Sequence, residues 1–128
     1  RNLYLKEEYD YICLMELIEH IAHPEFLIKK IKNKFKKYLF ITIPNMGYIE
    51  NRLRLAFAGK MPITIIIYHI REHIRFWTVK DFLYWANRLG LTVEAYYGQG
   101  GLGIPRIKLW KYFPSLFASQ IVYVLKRK

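Results

Sequence analysis

Three ionisable side chains follow the first apolar run of the chain: Glu16, Glu19 and His20. Their spacing of i, i+3 and i+4 is the spacing that brings side chains to one face of a helical turn. Carboxylate and imidazole groups can exchange protons, and they are also ligands for Mg²⁺, Mn²⁺ or Zn²⁺. The sequence therefore predicts a functional site here, with hydrogen bonds that hold the local turn as the alternative role for Glu19 and His20.

The elements that must position these groups are a buried strand and its neighbours. Residues 11–14 predict a strand buried on both faces, and residues 38–43 predict a second strand that ends at Pro44. Between them, Pro24 begins a predicted helix. Such a β-α-β unit is parallel, and ligands bind beyond the carboxyl ends of its strands, which places Asn45 on the same edge as Glu16.

Two further strands are predicted after a second and a third helix. Gly47 and Gly59 bracket the second helix, and Thr78 and Asp81 are spaced as a capping box for the third, which ends at Gly90. Strands at 91–97 and 120–125 are then expected to pair antiparallel. The fold class is α/β, with parallel strands and a final antiparallel strand.

The composition of the chain limits the kind of protein that it can be. The chain has 128 residues, 53% of them hydrophobic, and a net charge of +11. A single domain with a real core is expected. Cys13 is the only cysteine and is expected to be buried, which fits a reducing cytoplasm. No signal peptide or spanning apolar run is visible, so a cytoplasmic location is expected.

The charge is uneven along the chain. Residues 1–28 hold six acids and two bases, whereas residues 29–128 hold four acids and nineteen bases. This distribution predicts an acidic site region and a basic outer surface. A solvated basic face is one interpretation, and a nucleic-acid-binding domain is another.

Four segments together resemble class I S-adenosylmethionine-dependent methyltransferases. They are the Tyr-Asp-apolar run that leads into Glu16-x-x-Glu19-His20, and the segments Thr42 to Gly47, His73 to Thr78, and Pro114 to Ala118. Their order is most similar to the branch that contains the MetW-type proteins, the ubiquinone-type O-methyltransferases and the small-RNA 2′-O-methyltransferases.

The resemblance implies a Rossmann-like sheet of which residues 1–128 form the C-terminal half, with the N-terminal cofactor-binding half absent. It implies methyl transfer from S-adenosylmethionine to a small-molecule or macromolecular acceptor. Leu14, Met15 and Glu16 would face the cofactor, while Asn45 and His73 would face the acceptor. Residues 60–76 would form a lid, and the chain alone is expected to be inactive.

The resemblance also implies a fourth metal ligand and possible partners. In the small-RNA enzymes an E-x-x-E-H motif and a distant histidine hold the metal, which adds His73 to Glu16, Glu19 and His20 here. An exposed sheet edge predicts a protein partner or a homo-oligomer that covers it. The resemblance to MetW-type proteins also implies an alternative function, that of a non-catalytic partner subunit of an acyltransferase in methionine biosynthesis.

One motif is expected to have no cofactor role. Residues 98–103 satisfy G-x-G-x-x-G, but no acidic residue follows Glu94 to bind a ribose. These glycines are predicted to form a flexible hairpin loop.

Overall fold

A computed structural model describes residues 7–62, 72–104 and 106–128 of the chain. A short 3₁₀ turn, Ile18–His20, follows the first strand. The strands are β1 (Tyr9–Met15), β2 (Phe35–Pro44), β3 (Leu91–Gly101) and β4 (Ala118–Arg127). The helices are α1 (Pro24–Ile31), α2 (Ile49–Ala58), α3 (Val79–Arg88), α4 (Leu109–Tyr112) and α5 (Pro114–Phe117).

The four strands form one mixed sheet in the order β1-β2-β4-β3. β1 and β2 are parallel, with Leu14 beside Ile41, while β4 runs antiparallel to both β2 and β3. α1 supplies the crossover that a parallel pair requires. The predicted α/β class with a final antiparallel strand is confirmed.

The hydrophobic core lies on one face of this sheet. Ile28 and Ile31 of α1 and Phe82 of α3 are fully buried among the alternate residues of β2 and β4. The ring of Phe82 stacks on Tyr123 with the ring centroids 3.8 Å apart. Burial raises the pKa of the Tyr123 phenol, so this group stays neutral and acts as part of the apolar core.

The helix boundaries follow the predicted signals. Pro24 is the first residue of α1, and Gly59 ends α2 in the left-handed conformation, with φ of 58°. At α3 the backbone N–H of Asp81 donates to the Thr78 hydroxyl, and the Thr78 N–H donates to the Asp81 carboxylate. These contacts are the predicted capping box.

The prediction that β1 is buried on both faces was wrong. Leu14 lies in the core and Ile12 packs against it, but Tyr11, Cys13 and Met15 on the other side of the strand are exposed. β1 is the edge strand of the described sheet, and its side chains alternate between a face packed by helices and an uncovered face. A partner that covers this edge remains a prediction.

The glycine-rich segment was also predicted incorrectly. Gly98 to Gly101 belong to β3 and pair with β4 instead of forming a loop. A Cβ on Gly98 would lie 2.3 Å from the carbonyl oxygen of Trp110, so glycine is needed for the close approach of α4.

Of the predicted lid at 60–76, residues 60–62 and 72–76 are described, and the remainder lies outside the described residues. Among the helices in the described part of the chain, none has the length and apolar character needed to cross a membrane.

Candidate functional site

The site lies where the carboxyl ends of β1 and β2 meet. Met15 is in register with Thr42, and the N–H of Glu16 donates to the Thr42 carbonyl at 3.0 Å. At Glu16 the backbone turns into the left-handed region, with φ of 46°. The Glu16 carboxylate accepts a hydrogen bond from the side-chain amide of Gln120 at the start of β4.

The left-handed backbone at Glu16 gives the acidic cluster a geometry that differs from the predicted one. Only a single 3₁₀ turn, Ile18–His20, follows Glu16, so no regular helix places Glu16 on one face with Glu19 and His20. The prediction of a shared helical face was therefore wrong for Glu16. The left-handed backbone at Glu16 interrupts any regular helix between this residue and the turn that carries Glu19 and His20.

The 3₁₀ turn holds Glu19 and His20 in fixed positions, because the side chain of Ile18 anchors the turn in the core. Ile18 is fully buried and Glu19 is 1% exposed. The Glu19 carbonyl accepts hydrogen bonds from the N–H groups of Ile74 and Arg75, at 3.0 and 3.1 Å. The segment that carries His73 is therefore attached directly to the turn, although it lies far from it in the sequence.

His20 and His73 lie against each other across this junction, with ring centroids 4.6 Å apart. Glu19, His20 and His73 each offer one ligand atom within 4.8 Å of the others. The structure thus brings together three of the four residues predicted to bind metal. These three residues line a cavity of about 380 Å³. Glu16 also lines this cavity, but its carboxylate does not belong to the group of converging ligand atoms. The cavity is lined by Glu16, Glu19, His20, Pro44, Glu72, His73, Ser119 and Gln120.

The donor set of this group fits a divalent cation. One carboxylate and two imidazoles is a common protein ligand set for Zn²⁺, and Mn²⁺ also accepts it. The Nδ1 atom of His20 lies 3.0 Å from the Glu72 carbonyl oxygen, which can only accept, so Nδ1 carries the proton. In the neutral ring the lone pair is then on Nε2. A backbone carbonyl that fixes the tautomer in this way is typical of metal-binding histidines.

The three residues predicted to face the cofactor differ in position. Leu14 is a core side chain and does not line the cavity. Met15 is 57% exposed on the uncovered face, where its sulfur accepts a hydrogen bond from the Thr42 hydroxyl. Glu16 lines the cavity. Their role towards a cofactor remains a prediction.

Asn45, predicted to face the acceptor, is 2% exposed and fixes the turn after β2. Its amide nitrogen is within hydrogen-bonding distance of the carbonyls of Pro114, Ser115 and Ala118, at 3.4, 3.0 and 2.9 Å. Its oxygen accepts from the Gly47 N–H at 2.9 Å. The side chain therefore joins the β2 turn to α5 and the start of β4.

Replacing Asn45 with alanine is expected to destabilise the fold. The change leaves one buried and two partly buried carbonyl groups without this donor, and a cost of about 3 kcal/mol is expected from the removal of several hydrogen bonds. Urea unfolding of Asn45→Ala beside Asn87→Ala, at an exposed helix position, provides the measurement. Equal unfolding midpoints for the two variants would contradict this structural role.

Sequence reasoning missed Glu72, Ser119 and Gln120, which also line the cavity. Ser119 and Gln120 enter the site because β4 is antiparallel to β2, which places Gln120 opposite Pro44. The only signal in the sequence was the polar start of an otherwise apolar strand. It becomes informative only once the strand order is known.

Comparison with solved structures supports the fold. The crystal structure of small RNA methyltransferase HEN1 matches with a TM-score of 0.59 and 21% sequence identity. The match covers 95% of this chain but only 14% of that chain, so this chain spans a small part of the length of the larger protein. No curated protein matches the chain.

A protein-family model gives the more specific result. The model for methionine biosynthesis protein MetW matches residues 2–125, which is nearly the entire sequence. The resemblance identified from the sequence and the mixed α/β sheet agree with this match. The chain therefore belongs to the MetW family, a class I S-adenosylmethionine-dependent methyltransferase-like family.

Proposed function

We propose that this chain forms the acceptor side of an S-adenosylmethionine-dependent methyltransferase, with a divalent cation held by Glu19, His20 and His73. The observation that carries the proposal is the convergence of these three side chains in a cavity beyond the strand ends. A cavity at this edge of an open α/β sheet is the usual position of a ligand site.

Each group has a defined task in this proposal. S-adenosylmethionine would supply a sulfonium-activated methyl group. A cation at the cluster would polarise an acceptor hydroxyl and lower its pKa, so that the oxygen becomes nucleophilic near neutral pH. In this proposal the side chains of the protein position the reactants and do not react with them. Glu19 and the two histidines would hold the cation that orients the hydroxyl, and the Gln120 side chain orients the Glu16 carboxylate at the rim of the cavity.

The buried position of the cluster supports this task. Glu19 is almost fully buried and His73 is 9% exposed, while His20 is accessible from the cavity. An acceptor can therefore approach from the side of His20, while the other two groups are shielded from bulk water. Electrostatic interactions are stronger in such a shielded site than in water.

The test uses the full open reading frame that encodes residues 1–128. We expect its product to bind S-adenosylmethionine with micromolar affinity in a calorimetric titration, in competition with S-adenosylhomocysteine. The variant Glu19→Gln should retain cofactor binding and lose metal-dependent methyl transfer. A product that binds neither compound would overturn the enzymatic proposal.

A second candidate function is a non-catalytic partner subunit in methionine biosynthesis. The family description favours it, and so does an exposed apolar surface on α2, where Leu55 is 57% and Phe57 is 86% exposed. This helix lies in the part of the sequence that is most similar to MetW-type proteins. Co-purification of an acyltransferase, abolished in Leu55→Ser/Phe57→Ser but retained in Glu19→Gln, would support this function over the enzymatic one.

A further inference from the structure

The connection between β3 and β4 carries an unusual surface. Five of its large apolar side chains are exposed, with Tyr112 at 71% and Phe113 at 60%. Three exposed basic side chains are interspersed with them. We refer to these residues as the 102–113 surface. It consists of Leu102, Ile104, Arg106, Ile107, Lys108, Lys111, Tyr112 and Phe113.

This surface is structured rather than extended chain. The N–H of Leu102 donates to the Phe117 carbonyl at 3.0 Å, and Ile104 and Ile107 exchange backbone hydrogen bonds at 3.1 and 2.9 Å. Lys108 lies over the ring of Trp110, with its ammonium 5.8 Å from the ring centroid. The apolar and basic groups are therefore presented by local turns and the short helix α4. A preformed surface loses little conformational entropy on binding.

The charged side chains of the 102–113 surface are all basic. No aspartate or glutamate occurs between Ala95 and Lys128, so Arg106, Lys108 and Lys111 have no acidic neighbour in the sequence. Exposed apolar side chains beside lysine and arginine are the combination that holds amphipathic helices in the headgroup region of a membrane, and the turns and short helix of this surface present the same combination. The apolar groups enter the acyl boundary, while lysine and arginine remain at the level of anionic headgroups.

We propose that the 102–113 surface docks the protein onto an anionic lipid membrane. Charge complementarity selects this occupant, because the surface combines only basic charge with exposed apolar groups. The proposed binding is peripheral, because the side chains of this surface would enter only the headgroup region and the acyl boundary. The proposal concerns attachment and does not depend on methyl transfer.

The 102–113 surface is connected to the turn at the end of β2, so docking would also position the cavity at that end of the sheet. α5 directly follows Phe113, and the Asn45 amide donates to the carbonyls of Pro114 and Ser115. The turn at the end of β2 is thereby connected to the membrane-facing segment. Docking through residues 102–113 would hold the cavity edge close to the lipid surface. A preference for acceptors located there would be a further consequence, and it rests on the proposed methyl transfer.

The experiment is co-sedimentation of the chain with phosphatidylcholine vesicles, with and without phosphatidylglycerol, at low and high salt. We expect binding only to the anionic vesicles, and weaker binding at high salt. Tyr112→Ser/Phe113→Ser should reduce partitioning by about tenfold, because less apolar surface is buried in the bilayer. Lys108→Gln/Lys111→Gln should reduce it by about tenfold, because the attraction to the headgroups is weaker.

Two matched variants separate this surface from the general properties of the chain. Lys29→Gln/Lys30→Gln on α1 removes the same charge, and Leu55→Ser/Phe57→Ser on α2 removes exposed apolar groups. Both should retain wild-type partitioning. Circular dichroism verifies that all four variants are folded.

Three results would overturn the proposal. One is the absence of binding to anionic vesicles, and another is an equal reduction of binding in the matched variants. The third is binding of the chain to oligouridylate that is tighter than its binding to anionic vesicles and is reduced in Lys108→Gln/Lys111→Gln, which would assign the surface to nucleic acid.

Discussion

Replacing His73 with alanine is expected to weaken divalent-cation binding by on the order of a hundredfold, because the change removes one of three converging ligands. His73 is joined to the 3₁₀ turn by the backbone hydrogen bonds of Ile74 and Arg75 to Glu19. These bonds do not involve the imidazole. The substitution should therefore remove the ligand while the segment stays attached to the turn.

The measurement is titration of the chain with Co²⁺, followed by the visible absorption of the bound ion, and with Mn²⁺ followed by paramagnetic resonance. His23→Ala is the matched control, since His23 is exposed and its ring lies against Phe26, outside the cluster. Glu19→Gln is a second variant of nearly unchanged volume. A loss of cation binding in this variant would not result from altered packing.

The two roles considered for these residues predict different results. If Glu19, His20 and His73 bind metal, a chelator lowers the melting temperature of the wild-type chain and leaves His73→Ala unchanged. If they only hold the turn and the lid segment together, His73→Ala lowers the melting temperature with or without chelator. Wild-type Co²⁺ affinity in the His73→Ala variant would exclude the metal proposal.

The fold could be predicted from local signals because most of its elements carry their own boundaries. Pro24 and the Thr78–Asp81 pair mark helix starts, Gly59 and Gly90 mark helix ends, and each signal has a backbone cause that acts within a few residues. The burial of β1 could not be predicted in the same way. An apolar run has the same appearance in a central strand and in an edge strand, and the difference depends on distant elements.

The site was predictable only in part for a related reason. Glu19 and His20 are adjacent in the sequence and both belong to the cluster, but the left-handed backbone that separates Glu16 from it gave no signal, because glutamate rarely adopts positive φ. His73 entered through family resemblance, since no local pattern connects it to a turn so far away in the sequence. The role of Asn45 depended on carbonyl groups about seventy residues further along the chain.

The 128-residue chain alone is expected to bind S-adenosylmethionine more weakly than about 1 mM, equivalent to a binding free energy of only about 4 kcal/mol. Its G-x-G-x-x-G match cannot serve as a cofactor loop, because Gly98 to Gly101 pair with β4 inside the sheet. Gly98 is also packed against Trp110 of α4. The residues that the resemblance assigns to the cofactor are Leu14, whose side chain lies in the core, and Met15 and Glu16, whose side chains are exposed.

Calorimetric titration of the 128-residue chain beside the product of its full open reading frame provides the test. We expect measurable heat of binding only from a product that also carries a glycine-rich loop and an acidic ribose ligand. Met15→Ala in the full product should weaken binding by about tenfold, because less apolar surface is buried against the cofactor. Micromolar binding by the isolated chain would contradict the prediction and would mean that the cavity at Glu16, Glu19 and His20 holds the cofactor without that loop.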